Sequence, residues 1–249
     1  MLSGPPVSGT VGADELLERF LCGSPRQRRS LLPQFELRAA ELLPLIPERL
    51  DRLDPAGEDW AAGFLIQLLC ARGGEAPVVA AFLARHPGGW LHAPSAAEQD
   101  YGPLQGHLMR QEFEAADGLT SDHLRRLAGA AAVQRGYVYY SEVAAMAGLD
   151  LETLDRLWLV YSRGRFGFSV QARLLRTCQG QWEQLWPRLG WKRDGVWTRY
   201  PTAFTWSLDA PEGHMPLINQ LRGVRLMDAL LHHPALERRS EAVAGQVAG

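Results

Sequence analysis

The chain has one lysine, three cysteines, no long apolar run and almost no net charge, and each shortage closes off a class of function. Lys192 stands alone among 26 basic residues; arginine supplies the rest, so a single isolated arginine carries little functional weight. Cys22, Cys70 and Cys178 lie far apart, with no Cys-x-x-Cys pair and no histidine at ligand spacing. That argues against a zinc site or a disulfide framework and for buried free thiols. No apolar run of about eighteen residues is present, which speaks against a membrane span. A formal charge of −2 leaves no drive for wholesale polyanion binding, so no nucleic-acid partner is expected. Catalytic signatures are missing too. His107, His123, His214, His232 and His233 stand near no nucleophile elbow, His-Glu-x-x-His pair or phosphate loop, and Glu112 and Glu114 read as a solvated helix face. Neither catalytic residues nor a metal site are expected; a lone His214 is either a ligand or a hydrogen-bonded structural histidine.

What remains is an apolar fraction of 46% in 249 residues, enough to bury a proper core. Residues 1–12 are rich in Gly, Pro and Ser and read as a loose tail. Apolar stripes at helical spacing run through residues 14–20, 31–45, 60–70 and 78–83, punctuated by Pro25, Pro33, Pro44, Pro47 and Pro55. They predict a small helical bundle over 13–92. Residues 92–100 make a linker, and a second helical domain follows over 97–236, with a short tail over 237–249. Its helices are expected over 104–117, from a Thr120-Ser121-Asp122 start signal to 129, over 151–161 with Asp150 as N-cap, over 169–178 and over 181–189. The fold class is therefore all-α. Residues 155–200 hold nine basic side chains against Asp155, Glu183 and Asp194, either a solvated basic face or a draw for an anionic ligand.

Between residues 192 and 216 the helical pattern stops. Asp194-Gly195 permits a short hairpin or an irregular loop, and Pro201, Pro211, Gly213 and Pro216 exclude a continuous helix. A loop of about twenty-five residues inside a compact domain is usually functional or disordered. This one, with Trp191 at its entrance, carries Trp197, Tyr200, Phe204 and Trp206 with Val196 and Met215, too many aromatics for disorder. The rings either plug the core or enclose something flat and apolar. A helix from Pro216 to about Leu231 follows, apolar around most of its circumference except for a slanted strip of Asn219, Arg222 and Arg225. Those guanidiniums pair with structural carboxylates such as Asp209, Glu212 or Asp228, or with the acids of a ligand. An aromatic flap beside an arginine strip describes a site for a flat amphiphile bearing carboxylates.

Several strings in residues 97–236 resemble the genomes-uncoupled-four family, porphyrin-binding activators of magnesium chelatase in oxygenic phototrophs. They are Asp100-Tyr101-Gly102-Pro103-Leu104-Gln105, Phe113-Glu114-Ala115-Ala116-Asp117, Gly164-Arg165-Phe166-Gly167-Phe168-Ser169-Val170-Gln171, Leu189-Gly190-Trp191, Val196-Trp197-Thr198-Arg199, Phe204-Thr205-Trp206, Gly213-His214-Met215-Pro216-Leu217 and Asn219-Gln220-Leu221-Arg222-Gly223-Val224-Arg225. The resemblance implies a cupped-hand helical core that binds protoporphyrin IX and Mg-protoporphyrin IX. Asn219, Arg222 and Arg225 would form its polar wall, and Trp197, Tyr200, Phe204, Trp206, Met215 and Leu217 the covering and lining residues. It further implies a regulatory, non-enzymatic role in chlorophyll biosynthesis, with the large subunit of magnesium chelatase as partner. The expected location is cytoplasmic, with some thylakoid association through peripheral membrane contact. Relatives with an extra N-terminal bundle are cyanobacterial. Tyr200 stands where many relatives carry tryptophan, which reduces stacking area. The rival functions are a helical protein-protein adaptor without a pigment, and a haem or tetrapyrrole sensor in stress signalling.

Overall fold

A computed structural model describes residues 12–74, 76–217 and 224–247. Among these the chain is all-α apart from one two-stranded hairpin. It divides into two compact units: the chain up to Leu53 with Leu68–Arg85, and Asp54–Gln67 with the chain from His86 onward. The expected linker, residues 92–100, lies inside the larger unit.

The smaller unit contains α1 (Ala13–Cys22), α2 (Pro25–Leu37), α3 (Ala39–Leu42), α4 (Ile46–Leu50), the end of α5 (Trp60–Arg72) and α6 (Pro77–Arg85). The start of α2 is set by a capping box. The Gln27 N–H donates to Ser24 Oγ and the Ser24 N–H to Gln27 Oε1, with Pro25 in the first turn where no N–H is needed. Leu16, Leu17 and Phe20 are fully buried as their spacing predicts, and Phe20 meets Phe35 at 4.6 Å between ring centroids.

The larger unit holds α7 (Gly102–Met109), α8 (Phe113–Ala128), α9 (Ala130–Arg135), a 3-10 turn η1 (Tyr140–Ala145), α10 (Gly148–Tyr161), α11 (Phe168–Thr177), α12 (Trp182–Arg188), strands β1 (Lys192–Arg193) and β2 (Val196–Trp197), α13 (Val224–Leu231) and α14 (Pro234–Val247). Its centre is α10, whose Leu151, Leu154, Leu157, Trp158, Val160 and Tyr161 are wholly buried. Gly63 of α5 sits so close to α10 that an added Cβ would lie 2.3 Å from the Val160 carbonyl oxygen. The equally buried Asp155 accepts from the Ser169 N–H at 2.8 Å and pairs with Arg239 Nε at 2.7 Å, so α10, α11 and α14 meet on one carboxylate.

Three local expectations are corrected. Asp150 does not cap α10: it lies within the first turn, buried, accepting from the Tyr101 hydroxyl and the Ala96 and Ala97 N–H groups. Residues 120–122 do not start a helix, because the Thr120 hydroxyl donates back to the Ala116 carbonyl at 2.8 Å and α8 runs straight through. The helix expected over 104–117 is broken instead at Gln111, whose positive φ of 58° ends α7.

Candidate functional site

The covering segment grows out of the hairpin. Asp194 and Gly195 take the two positive-φ positions of a tight turn, at 49° and 80°, and pair Lys192 with Trp197 and Arg193 with Val196. Behind the hairpin lies a stack of indoles. Trp186 is nearly parallel to the buried Trp191 at 5.9 Å and touches Trp197 at 5.5 Å. Trp191 itself donates from its ring N–H to the His214 carbonyl at 2.8 Å.

The string that spans Arg165 to Gln171 is the bracket for the other end of this segment. Gly167, at φ +132°, brings the chain against Asp155; an added Cβ would lie 2.7 Å from Asp155 Oδ1. Its N–H donates to the Met215 carbonyl at 3.0 Å, and the Gly213 N–H donates to the Arg165 carbonyl at 2.8 Å. The buried Gln171 amide then donates to the carbonyls of Gly213 and Pro216 at 3.0 and 2.8 Å.

Between α8 and the covering segment opens a cavity of about 750 Å³, within the range of small-molecule sites. One wall is the face of α8 carrying Asp117, Ser121, Leu124 and Arg125; Tyr137 and Val138, Leu226 of α13 and residues 197–200 with Leu217 complete it. The structure thus brings Trp197, Tyr200 and Leu217 to one cavity. Trp197 and Tyr200 are 41% and 44% exposed, large rings with a face left uncovered.

The other predicted rings lie elsewhere. Phe204 is buried, stacked on Trp206 at 5.5 Å and packed on His214 at 4.6 Å, and the Trp206 ring N–H is spent on the Pro201 carbonyl. Met215 is wholly buried. These three lie outside the cavity lining, Phe204 and Trp206 packed against the Tyr200 ring. Both nitrogens of His214 are used, Nδ1 at 2.6 Å from the Leu189 carbonyl and Nε2 near the Thr205 N–H, and burial lowers its pKa, so it is a neutral structural histidine. Among the described residues no cluster of His, Cys, Asp or Glu could hold a metal. Asn219 and Arg222 lie outside the described residues. Arg225 is exposed, with its guanidinium 5.6 Å from the centre of the Tyr140 ring.

The basic excess over 155–200 is largely internal. Arg165 holds the Ala210 carbonyl, Arg173 the Glu212 carboxylate, Arg176 the Ser240 hydroxyl and carbonyl, Arg188 the Thr177 hydroxyl and Lys192 the Glu183 carboxylate. Arg199, exposed on the cavity rim, faces the site.

Asp117 was not singled out by sequence reasoning. It is only 1% exposed; its Oδ1 accepts the Leu217 N–H at 2.6 Å and its Oδ2 the Tyr200 hydroxyl at 3.3 Å. Burial pushes its carboxyl up to about 7, against the lowering effect of those two bonds. Tyr200 is pushed up to about 12 by its own burial and by this carboxylate. A signal was present: Phe113, Ala116, Asp117 and Thr120 share one buried helical stripe, and a carboxylate on an apolar stripe needs a reason.

The comparisons with known proteins converge on one family. The GUN4-like family model matches residues 94–234. A Ycf53-like protein of Synechocystis is 50% identical over 149 residues, covering 60% of this chain and 64% of its own length. An Arabidopsis thaliana protein named tetrapyrrole-binding protein, chloroplastic, is 37% identical over 53% of each chain. The chain therefore spans just under two thirds of the Synechocystis protein and about half of the plant one. Among solved structures, GUN4 from Chlamydomonas reinhardtii aligns with a TM-score of 0.56 at 38% identity, over 59% of this chain and 93% of that one. Ligand-free Arabidopsis GUN4 aligns at 0.52 and 37% identity, over 55% and 98%. With more than half of its residues matched by the family model, this chain belongs to the GUN4-like family.

Proposed function

We propose that the cavity between α8 and the covering segment binds a tetrapyrrole, protoporphyrin IX or Mg-protoporphyrin IX, and that the protein presents it to the large subunit of magnesium chelatase. The observation that carries this reading is the pairing of a 750 Å³ cavity with two half-exposed rings, Trp197 and Tyr200, at its mouth. A porphyrin has two broad apolar faces and an acidic edge. The residues present fit both: Leu124, Tyr137, Val138, Leu217 and Leu226 offer apolar surface, Trp197 and Tyr200 offer ring faces, and Arg199 offers a guanidinium to a propionate. Arg225, exposed beside Tyr140 and not among the lining residues, would reach a propionate from outside the cavity. Asn219 and Arg222 complete the polar wall in this proposal. Phe204, Trp206 and Met215 act behind it, by holding the covering segment in shape.

The role is that of a non-catalytic carrier: the side chains bind, orient and shield the ring, and the chelatase inserts the magnesium. We place it in the cytoplasm with peripheral thylakoid contact; among the described residues no helix is long and apolar enough to cross a membrane. The test is a titration with deuteroporphyrin IX and its magnesium complex, followed by quenching of tryptophan fluorescence, beside an Arg222→Ala/Arg225→Ala variant. Saturable binding that weakens in the variant supports the reading. Absence of binding overturns it and favours a protein-binding adaptor.

A further inference from the structure

We propose that Asp117 is the positioning residue of the covering segment, and that closure of that segment over a ligand takes up one proton at this carboxyl. The inference deepens the tetrapyrrole reading and rests on it for the nature of the ligand. Its basis is geometric: among the described residues, Asp117 is the one point on α8 that holds the segment at two places, through Tyr200 near its tip and through the Leu217 N–H at its base. An ionised carboxylate offers about four acceptor positions. Among the described residues two are met, and the charged group acting on it is the repulsive Glu114 carboxylate one turn earlier. The charged groups of the elements packed on α8 are engaged with one another: His107 of α7 with Glu112, and Arg135 of α9 with Glu142 of η1. Asp122 and Arg125 on the cavity wall pair together, and Arg199 is exposed on the rim.

A buried carboxyl so placed is better neutral than charged. When the segment lifts, water reaches Asp117 and the group returns toward the ordinary carboxylate range; when the segment closes, burial pushes it back up to about 7. The closed form therefore holds a proton that the open form has lost. A ligand that needs closure binds more tightly on the acid side of neutrality, and its affinity levels off above it.

The experiment measures deuteroporphyrin IX affinity at pH 6, 7 and 8 for the wild type, Asp117→Asn and Tyr200→Phe. Wild-type affinity is expected to fall about tenfold from pH 6 to pH 8. Asp117→Asn keeps a carbonyl oxygen for the Leu217 N–H but is neutral throughout, so its affinity is expected to be flat relative to the ligand's own titration. Tyr200→Phe keeps the slope and binds more weakly at every pH. A slope in Asp117→Asn equal to that of the wild type overturns the proposal. Hydrogen exchange at the Leu217 amide of the ligand-free wild type, corrected for intrinsic rate, reads the latch without a porphyrin. Greater protection at pH 6 than at pH 8 supports it, and equal protection sinks it. If the wild type binds no porphyrin but shows this exchange pattern, the ligand reading fails and the latch stands.

Discussion

The Trp191 ring N–H donates to the His214 carbonyl at 2.8 Å, joining residues 23 apart in sequence across the neck of the covering segment. Replacing Trp191 with Phe keeps most of the ring but leaves that buried carbonyl unpaired, so we expect a loss of about 2 kcal/mol in unfolding free energy. Urea denaturation followed by far-ultraviolet dichroism measures it; an unchanged midpoint would show the bond to be dispensable.

The aromatic residues of the segment divide by burial, and their variants should divide the same way. Trp197→Ala removes a ring that is 41% exposed: tetrapyrrole affinity is expected to drop about tenfold, equivalent to ~1.4 kcal/mol, with stability changed by less than ~1 kcal/mol. Phe204→Ala empties a packed position and is expected to cost about 3–5 kcal/mol of stability. Titration and thermal unfolding of both proteins separate the two roles.

Stability should also carry the imprint of Asp117. Its folded value of about 7 lies above the ordinary 3.8, so between roughly pH 4 and pH 7 the native state holds a proton that the unfolded chain has released. The group's contribution therefore declines as pH rises through that window and levels off above it. In Asp117→Asn the decline is absent, so the variant gains on the wild type from pH 5 to pH 8. Parallel melting curves at the two pH values for both proteins would contradict this.

Gly167→Ala is expected to be severe, because its Cβ would meet Asp155 Oδ1 at 2.7 Å on a backbone at φ +132°. Arg239→Met, which leaves the wholly buried Asp155 without its cation, should cost about 3–5 kcal/mol. Soluble expression and chemical denaturation check both.

Much of this architecture is written in periodicity. The stripe through Leu16, Leu17 and Phe20 and the helix around residues 151–161 follow from spacing, and the Asp194-Gly195 pair permits the turn that is found. Polar residues at helix positions were harder to read. Asp150 and Thr120 look like start signals in sequence, yet both are spent on tertiary or back-bonded partners that local pattern does not encode. The sequence pointed to an aromatic segment beside an arginine strip; the cavity found faces α8 instead, and Asn219 and Arg222 of that strip lie outside the described residues. The division between Trp197 and Tyr200 at the cavity and Phe204 and Trp206 behind it depends on packing, which composition does not reveal. Asp117 went unnoticed because its partners, Tyr200 and Leu217, lie 83 and 100 residues away.

The two anchors of the covering segment also bear on how such a protein can diversify. With Trp191 fastened to His214 and Gln171 fastened to Gly213 and Pro216, the helical scaffold is insulated from whatever happens in the exposed stretch around Thr202 and Ala203. Lengthening a loop between fixed ends is cheap, about 0.6 kcal/mol for each doubling. Insertions and exchanges there can therefore change the outer end of the covering segment without renegotiating the core, so that stretch is where the sequence has the freest hand to vary.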